Sequence, residues 1–386
     1  EPGIGPEDSV MYSAARFLPS IFAKRRPIHL TYFVTRKCNA RCPYCFYPDS
    51  AGDAEDGDRD GELSLDEIRQ VSASLGHLLW VAFSGGEIFL RRDLADISKV
   101  FYDQNEPSVM LYPTNGMQPG NIRDCLERIL RHCSNSVVCA KVSVDGLADD
   151  HDRLRQTPGG FTRAMETCRL LSELADRYAN FELGINTVFS AGNQDAMDGL
   201  IDFVRGLDGV RTHTISLIRG NLADARHKDV DHDKYRRATA RLAQGLRQST
   251  TENYRFRGAR LKAAQDVLQR RLIHRTVMTR ERQIPCYAGK LNLVMSETGA
   301  VYPCENCDTP LGKVRDHGLD VMRLLRAPTA MATIERLAQM RCHCTHECNF
   351  IMNILFNPGT YPALAREFWR LYGVPRLWPV AERLPS

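Results

Sequence analysis

Three cysteines, Cys38, Cys42 and Cys45, share one short loop with the spacing Cys-x3-Cys-x2-Cys, directly after the apolar run Ile28–Thr35. Three thiolates so spaced can hold three irons of a [4Fe–4S] cluster, and no fourth cysteine follows closely enough to take the last. An iron without a protein ligand is a reactive site rather than an inert staple. The plain alternative is zinc, which takes four ligands in a tetrahedron. The neighbourhood offers no obvious fourth: His29 lies in the preceding strand and Asp49 is a weak candidate.

A second group of thiols lies near the C-terminus: Cys286, Cys304, Cys307, Cys342, Cys344 and Cys348. Of the thirteen cysteines, only Cys125, Cys133, Cys139 and Cys168 are scattered. Cys-x-Cys and Cys-x2-Cys spacings in a long chain point to metal ligation more than to a disulfide framework, and so to a reducing compartment. Zinc remains an alternative here too, because His343 and His346 lie within the same run.

The elements that must position these groups are legible as alternation. Apolar or β-branched runs at Ile28–Thr35, Leu78–Ser84, Ser108–Pro113, Val137–Val144, Phe181–Phe189 and Thr212–Ile218 read as strands. Helical stretches fall between them at 64–76, 93–104, 121–132, 161–178 and 194–207. Ser64-x-x-Glu67 opens the first as a capping box. Strands alternating with helices predict right-handed βαβ units and a parallel sheet. Six strands are too few for a closed eight-stranded barrel, so the expectation is an α/β fold, a partial (β/α)6 TIM-like barrel. Residues 222–283 carry sixteen Lys/Arg against seven Asp/Glu and no strand-like run. They read as a pair of solvated connecting helices, or as a surface for an anionic substrate. Residues 10–25 form a short amphipathic helix that packs on the barrel or lies on a membrane. The stretch 360–386, with Trp369 and Trp378, reads as a closing helix. The expected divisions are 1–27, 28–221, 222–283, 284–355 and 356–386.

Composition is that of an ordinary globular protein: 43% hydrophobic, 25% charged, and a net charge of 51 − 47 = +4. That charge demands no polyanion, so nucleic-acid binding has no support. No apolar run nears the roughly 20 residues that cross a bilayer.

Ligands in parallel-strand barrels bind at the carboxyl ends of the strands, and polar motifs fall there. Ser84-Gly85-Gly86-Glu87 ends the second strand and Thr114-Asn115-Gly116 the third. Ser143-Val144-Asp145-Gly146 ends the fourth, followed by His151-Asp152 and Arg155. Adjacent glycines allow close backbone approach to a ligand, and hydroxyl, amide and carboxylate groups suit ribose hydroxyls and a cationic centre. Each alone reads equally well as a strand-end turn. Asn186, Asn193 and Arg219 are further pocket candidates.

Tyr44 precedes Cys45, so the loop reads Cys-x3-Cys-x-aromatic-Cys. With Gly85-Gly86-Glu87 after the next strand, the chain resembles the radical SAM superfamily. That resemblance implies a [4Fe–4S] cluster on Cys38, Cys42 and Cys45 whose open iron binds S-adenosylmethionine. Reductive cleavage then gives a 5′-deoxyadenosyl radical that abstracts a substrate hydrogen. It implies contacts to S-adenosylmethionine from Tyr44, Gly85, Gly86, Glu87, Asn115, Ser143, Asp145, Arg155 and Asn186. A reducing partner such as flavodoxin or ferredoxin is implied as well.

Cys286 ahead of Gly299-x4-Cys304 resembles the opening of a SPASM/twitch domain, and Cys342-x-Cys344-x3-Cys348 its closing half. The last run departs from the subgroup's Cys-x2-Cys-x5-Cys, and six thiols cannot fill two clusters at four each. One auxiliary [4Fe–4S] cluster is the economical reading, with Cys286 and Cys304, then Cys344 and Cys348, as ligands; Cys307 and Cys342 are alternative ligands or signs of a second cluster. Glu305, just after Cys304, matches an acidic residue that serves as general base in sulfatase-maturing relatives. The plain alternative is an exposed loop glutamate.

The leading expectation is an enzyme, a radical SAM oxidoreductase or maturase in the cytoplasm, with a peripheral membrane location as the alternative. Only about 27 residues precede the first strand, which tilts the substrate towards a small or lipid-linked molecule. A peptide or protein maturase is the alternative, and a non-catalytic iron–sulfur or zinc scaffold the remote one.

Overall fold

The computed structural model describes residues 12–47, 61–248, 254–256, 258–340 and 342–373. Asp49 and the predicted tail beyond 373 lie outside them.

Six strands run in parallel: β1 His29–Thr35, β2 Trp80–Gly85, β3 Val109–Thr114, β4 Val137–Ser143, β5 Phe181–Phe189 and β6 Val210–Leu217. Between and around them lie α1 Leu65–Leu75, α2 Leu94–Asn105, α3 Pro119–His132, α4 Asp149–Arg155, α5 Gly160–Arg177 and α6 Met197–Arg205. The capping box at α1 forms as predicted: the Ser64 hydroxyl accepts from the Glu67 N–H, and the Glu67 carboxylate accepts from the Ser64 N–H. β4 reads Val-Val-Cys-Ala-Lys-Val-Ser and is buried over nearly its whole length, as a strand covered on both faces must be. Helix α4 was not predicted; its seven residues are mostly charged, and the backbone reading passed over it as a loop.

The sheet ends at β6 but does not stop at β1. A C-terminal hairpin, β7 Asn292–Met295 with β8 Ala300–Tyr302 and β9 Gly312–Lys313, joins it through β1. The order is β6-β5-β4-β3-β2-β1-β7-β8-β9, a mostly parallel and unclosed sheet. β7 lies parallel to β1, with His29 opposite Asn292. The predicted small C-terminal domain is therefore continuous with the barrel wall.

Helices α7 His232–Arg247 and α8 Ala259–Thr279 follow the barrel, and α9 Val321–Leu325, α10 Pro328–Gln339, α11 Glu347–Leu355 and α12 Tyr361–Tyr372 follow the hairpin. The expectation of solvated connecting helices fails for α8. Ala263, Ala264, Val267, Leu268 and Ile273 are buried, and Lys262, Asp266, Gln269 and Arg270 face the barrel interior. A half-open barrel has an apolar inner wall to cover, and α8 covers it. Near the N-terminus a short 3-10 helix, Ala14–Ile21, buries Phe17 against Ile28, Leu79, Leu291 and Ile351. It packs on the barrel, while Leu18 and Phe22 stay exposed. Among the described residues no helix is long and apolar enough to cross a membrane.

Candidate active site

The loop after β1 brings Cys38, Cys42 and Cys45 together as free, partly buried thiols at the carboxyl end of the sheet. Backbone N–H groups already face two of them: Ala40 to Cys38 Sγ and Tyr47 to Cys45 Sγ, each at 3.4 Å. Burial pushes Cys42 up to about 11, and the neighbouring thiols add to this, whereas the Arg155 guanidinium works the other way. Burial likewise raises Cys38. Crowded thiols, two of them held towards their protonated forms by burial, are suited to a cationic centre that displaces their protons. Thiols and amide donors to sulfur are the donor set of an iron–sulfur cluster. Among the described residues, no three His, Cys, Asp or Glu side chains converge as a single-ion site.

Both ends of this loop are clasped by the hairpin. The Glu297 carboxylate, in the β7–β8 turn, accepts from Arg36 Nε at 3.0 Å and from Tyr47 Oη at 2.7 Å. The Glu297 carboxylate is buried, while the Arg36 side chain stays partly exposed.

Gly85 and Gly86 end β2 against the same loop. The Gly86 N–H donates to Thr35 O at 2.9 Å, and the Glu87 N–H to Lys37 O at 2.8 Å. A Cβ on Gly86 would overlap the Lys37 carbonyl. The sequence suggested that these glycines admit a ligand; here they admit the backbone of the cysteine loop. Glu87 is fully buried, and its carboxylate accepts from Thr114 Oγ1 (2.9 Å) and the Asn115 N–H (2.7 Å). Burial raises its pKa, and those hydrogen bonds pull it back. Asn115 passes the chain of contacts on, donating to Asn39 Oδ1 at 2.7 Å beside Cys38.

Asp145 is the hub on the other side. Its carboxylate accepts from Tyr44 Oη (2.7 Å), Arg155 Nη1 (2.5 Å) and the Val188 N–H (2.7 Å). The Asp145 N–H donates to His151 Nδ1, and Asn193 holds the Asp145 carbonyl. Burial and Arg155 lower His151 to about 4, so it stays neutral and able to accept. Four residues noted from strand ends and turns, Asp145, His151, Arg155 and Asn193, thus form one network that seats the aromatic residue of the cysteine loop. Ser143 stands opposite Asn186 in register, and Asn186 accepts from Ser216 Oγ at 3.2 Å.

The C-terminal thiols divide. Cys286, Cys304, Cys307, Cys342 and Cys344 line one cavity of about 1040 Å³, whose other wall is Ile218, Arg219 and Gly220 at the barrel mouth. Burial, reinforced by neighbouring thiols, pushes Cys304 up to about 12. Cys348 is absent from this group: it lies on α11 and faces the barrel cavity instead. Cys344 lies in the link before α11 and Cys348 in the first turn of that helix, so the two thiols face different cavities. Spacing alone had grouped Cys348 with Cys344, and had left Cys307 and Cys342 open; the five-thiol set includes both.

Glu305 is not an exposed loop residue. It is buried, lines the barrel cavity, and pairs with His346 Nε2 at 2.8 Å and Arg219 Nη2 at 3.4 Å. Burial would raise its pKa, but His346 and Arg219 win and hold it at about 2. His346 in turn is carried up to about 10 by Glu305, against burial. Arg219 also pairs with Glu347 at 3.0 Å and lies over the Phe46 ring, tying β6, the cysteine loop and α11 together.

The barrel cavity itself holds about 270 Å³. Its mouth is formed by Tyr44, Phe46, Ser84, Asn186, Arg219, Glu305 and Cys348, and its floor by Trp80, Tyr254 and α8. Lys141 and Glu182, which also line it, were missed from sequence. The signal was present, since a lysine inside a buried apolar strand and a glutamate at the head of another break the pattern without a turn to explain them.

A model of the radical SAM superfamily matches residues 32–200. The sporulation killing factor maturation protein SkfB of Bacillus subtilis is 28% identical over 183 residues, 46% of this chain and 39% of that protein. The AdoMet-dependent heme synthase of Oleidesulfovibrio alaskensis is 24% identical over 302 residues, 74% of this chain and 72% of that protein. The match spans about half or less of the length of the first curated relatives. Among solved structures, Streptococcus suis SuiB bound to its precursor peptide SuiA superposes with a TM-score of 0.55 at 14% identity, covering 83% of this chain and 69% of that one. At that identity the likeness establishes the fold. Residues 32–200 are a radical SAM domain.

Proposed function

From a chain that carries a radical SAM domain, we propose an enzyme of the SPASM/twitch subgroup that modifies a substrate held in the barrel cavity. One observation carries this: two separate groups of free thiols open onto the same end of the barrel, one beside the cavity mouth and one across Arg219 from it. In this reading Cys38, Cys42 and Cys45 hold a [4Fe–4S] cluster, and four of the five thiols at Cys286, Cys304, Cys307, Cys342 and Cys344 hold one auxiliary cluster. A cluster held there, with S-adenosylmethionine bound, would supply one-electron chemistry able to take hydrogen from carbon.

The chain's own residues do the rest. Gly85, Gly86, Glu87 and Asn115 fix the loop backbone on one side, and Tyr44, Asp145 and Arg155 on the other. Asn186 presents its amide at the mouth, with Ser143 opposite it in register. Glu305 stands where a substrate proton would be lost, yet a carboxylate held near 2 between two cations is a weak base. Its role is to keep His346 protonated and Arg219 in place, so that the substrate meets a fixed charge pattern. The divisions at 28–221 for the barrel and 284–355 for the auxiliary-cluster region belong to the same proposal, as does a flavodoxin- or ferredoxin-type reductant.

A peptide substrate is favoured by the likeness to SuiB with its precursor peptide and to SkfB. A tetrapyrrole is the second reading, favoured by a match to the heme synthase that extends past the radical SAM domain. The test is anaerobic incubation with dithionite and S-adenosylmethionine. Release of 5′-deoxyadenosine by the wild type, and none by a Cys38/Cys42/Cys45→Ala variant, is expected; equal release from both would overturn the reading.

A further inference from the structure

We propose that the inner wall of the barrel carries a carboxylate-binding subsite built on Lys141, which takes an anionic end of the substrate and so fixes which carbon lies at the mouth. This rests on the barrel cavity being the substrate site.

Lys141 lies on the inward face of β4, two residues and about 7 Å below Ser143. Its side chain leans across β5. The residue opposite it there is Gly184, and opposite Gly184 on β6 is Thr212, whose hydroxyl accepts from the Lys141 ammonium. A Cβ at position 184 would stand 2.5 Å from Nζ. The missing side chain is what lets the ammonium lie there.

Among the described residues Lys141 forms no ion pair; its hydrogen-bond partner is a neutral hydroxyl. Burying an ammonium without a carboxylate is costly, and burial indeed lowers its pKa. Two further cations face the same cavity from α8. Lys262 lies over the Trp80 and Tyr254 rings and is paired with Asp266; Arg270 has an Nη1 without a partner. Against these three cations the inner wall sets two carboxylates; Glu305 and Glu347, at the mouth, are paired with Arg219. Asp266 is taken by Lys262. Glu182 accepts from the Arg255 N–H, and burial drives it towards its neutral form. The inner wall therefore keeps uncompensated positive charge inside a cavity walled by Trp80, Tyr254 and Phe256. A carboxylate on an apolar stem complements it: the stem meets the rings and the anion meets Lys141 and Arg270. A peptide carboxylate and a tetrapyrrole propionate share that chemistry.

The probes are hexanoate and hexanamide, equal in shape and different in charge, titrated by calorimetry into the anaerobic protein. Wild type is expected to prefer hexanoate by about tenfold or more, the worth of one charge-assisted hydrogen bond. Lys141→Met should remove that preference while iron content and 5′-deoxyadenosine release stay unchanged. Because Met deletes a buried charge without leaving a hole, its melting temperature should hold or rise by about 2 °C. Equal binding of both probes to wild type, no hexanoate binding up to about 50 mM, or a preference that survives Lys141→Met would each overturn the subsite. Loss of 5′-deoxyadenosine release in wild type would instead strike the enzymatic reading and leave the binding result standing. Competition arms then separate the sources. A pentapeptide acid displacing hexanoate where its amide does not assigns a peptide carboxylate. Coproporphyrin III displacing it where the tetramethyl ester does not assigns a propionate. Displacement by neither would overturn the claim that a substrate carboxylate reaches Lys141.

Discussion

The two groups of thiols are built in opposite ways. Cys38, Cys42 and Cys45 lie within eight residues of one another on a loop that is gripped from three directions: by the Gly85–Glu87 backbone, by Asp145 through Tyr44, and by Glu297 through Arg36 and Tyr47. The C-terminal five come from the segment before β7, the loop between β8 and β9, and the link between α10 and α11. Among the described residues no buried hub of the Asp145 kind joins them; the shortest hydrogen bond to their sulfurs runs from Arg282 Nη2 to Cys342 Sγ at 2.9 Å. A site held by sequence-local spacing and a rigid shell is ready before its cofactor arrives. A site assembled from distant segments relies on the cofactor to draw it together.

Metal analysis is the largest test of that contrast. Cys38/Cys42/Cys45→Ala should lose about four irons per chain, with all S-adenosylmethionine cleavage. Cys286/Cys304→Ala should lose the other four or so and keep cleavage with dithionite as reductant. Loss of all iron in either variant would mean that the two sites load as one. Next in size, Asp145→Asn leaves Arg155 buried without its counter-charge. A loss of about 3–5 kcal/mol in chemical denaturation is expected, and an unchanged midpoint would remove Asp145 as the hub. A smaller effect concerns pH. The Arg315 guanidinium, with the Ser64 cap, holds Glu67 well below the usual carboxylate range, at about 2. A depressed carboxylate stabilises the fold above its ordinary value of about 4.5 and loses that contribution as pH falls towards 2. This partly exposed pair ties α1 to the hairpin segment, so about 1 kcal/mol should vanish across that window, and Glu67→Gln should flatten it. The smallest expected change is none: Cys348→Ala should leave iron unchanged, and a loss of iron would return Cys348 to the auxiliary set.

The barrel was legible because parallel strands buried on both faces are nearly all apolar, and the helices between them carry 3.6-residue periods, the first opened by a capping box. The cysteine loop was legible for a similar reason, since spacing within one turn of chain fixes spacing in space. What failed was non-local. Nothing in Glu87 tells whether its carboxylate faces a ligand or, as here, Thr114 and Asn115. Cys344 and Cys348 look alike in sequence, yet the start of α11 between them turns one thiol into each cavity. Helix α8 was read as solvated because its arginines and lysines outnumber its carboxylates. Four of its polar side chains instead face a barrel interior that no local pattern reveals.

β1 has two neighbours made at very different times. β2 follows within about fifty residues, but Asn292 of β7 is 292 − 29 = 263 residues after His29. At about 5–20 residues per second, a ribosome takes roughly 13–50 s to cover that distance. Through that interval the strand that aims the cysteine loop has one edge unpaired, and the Glu297 clasp does not yet exist. An unpaired apolar edge is a pairing hazard. Slow synthesis is thus a period of risk for this chain, and it is also the period when the first three thiols are open to whatever delivers their iron.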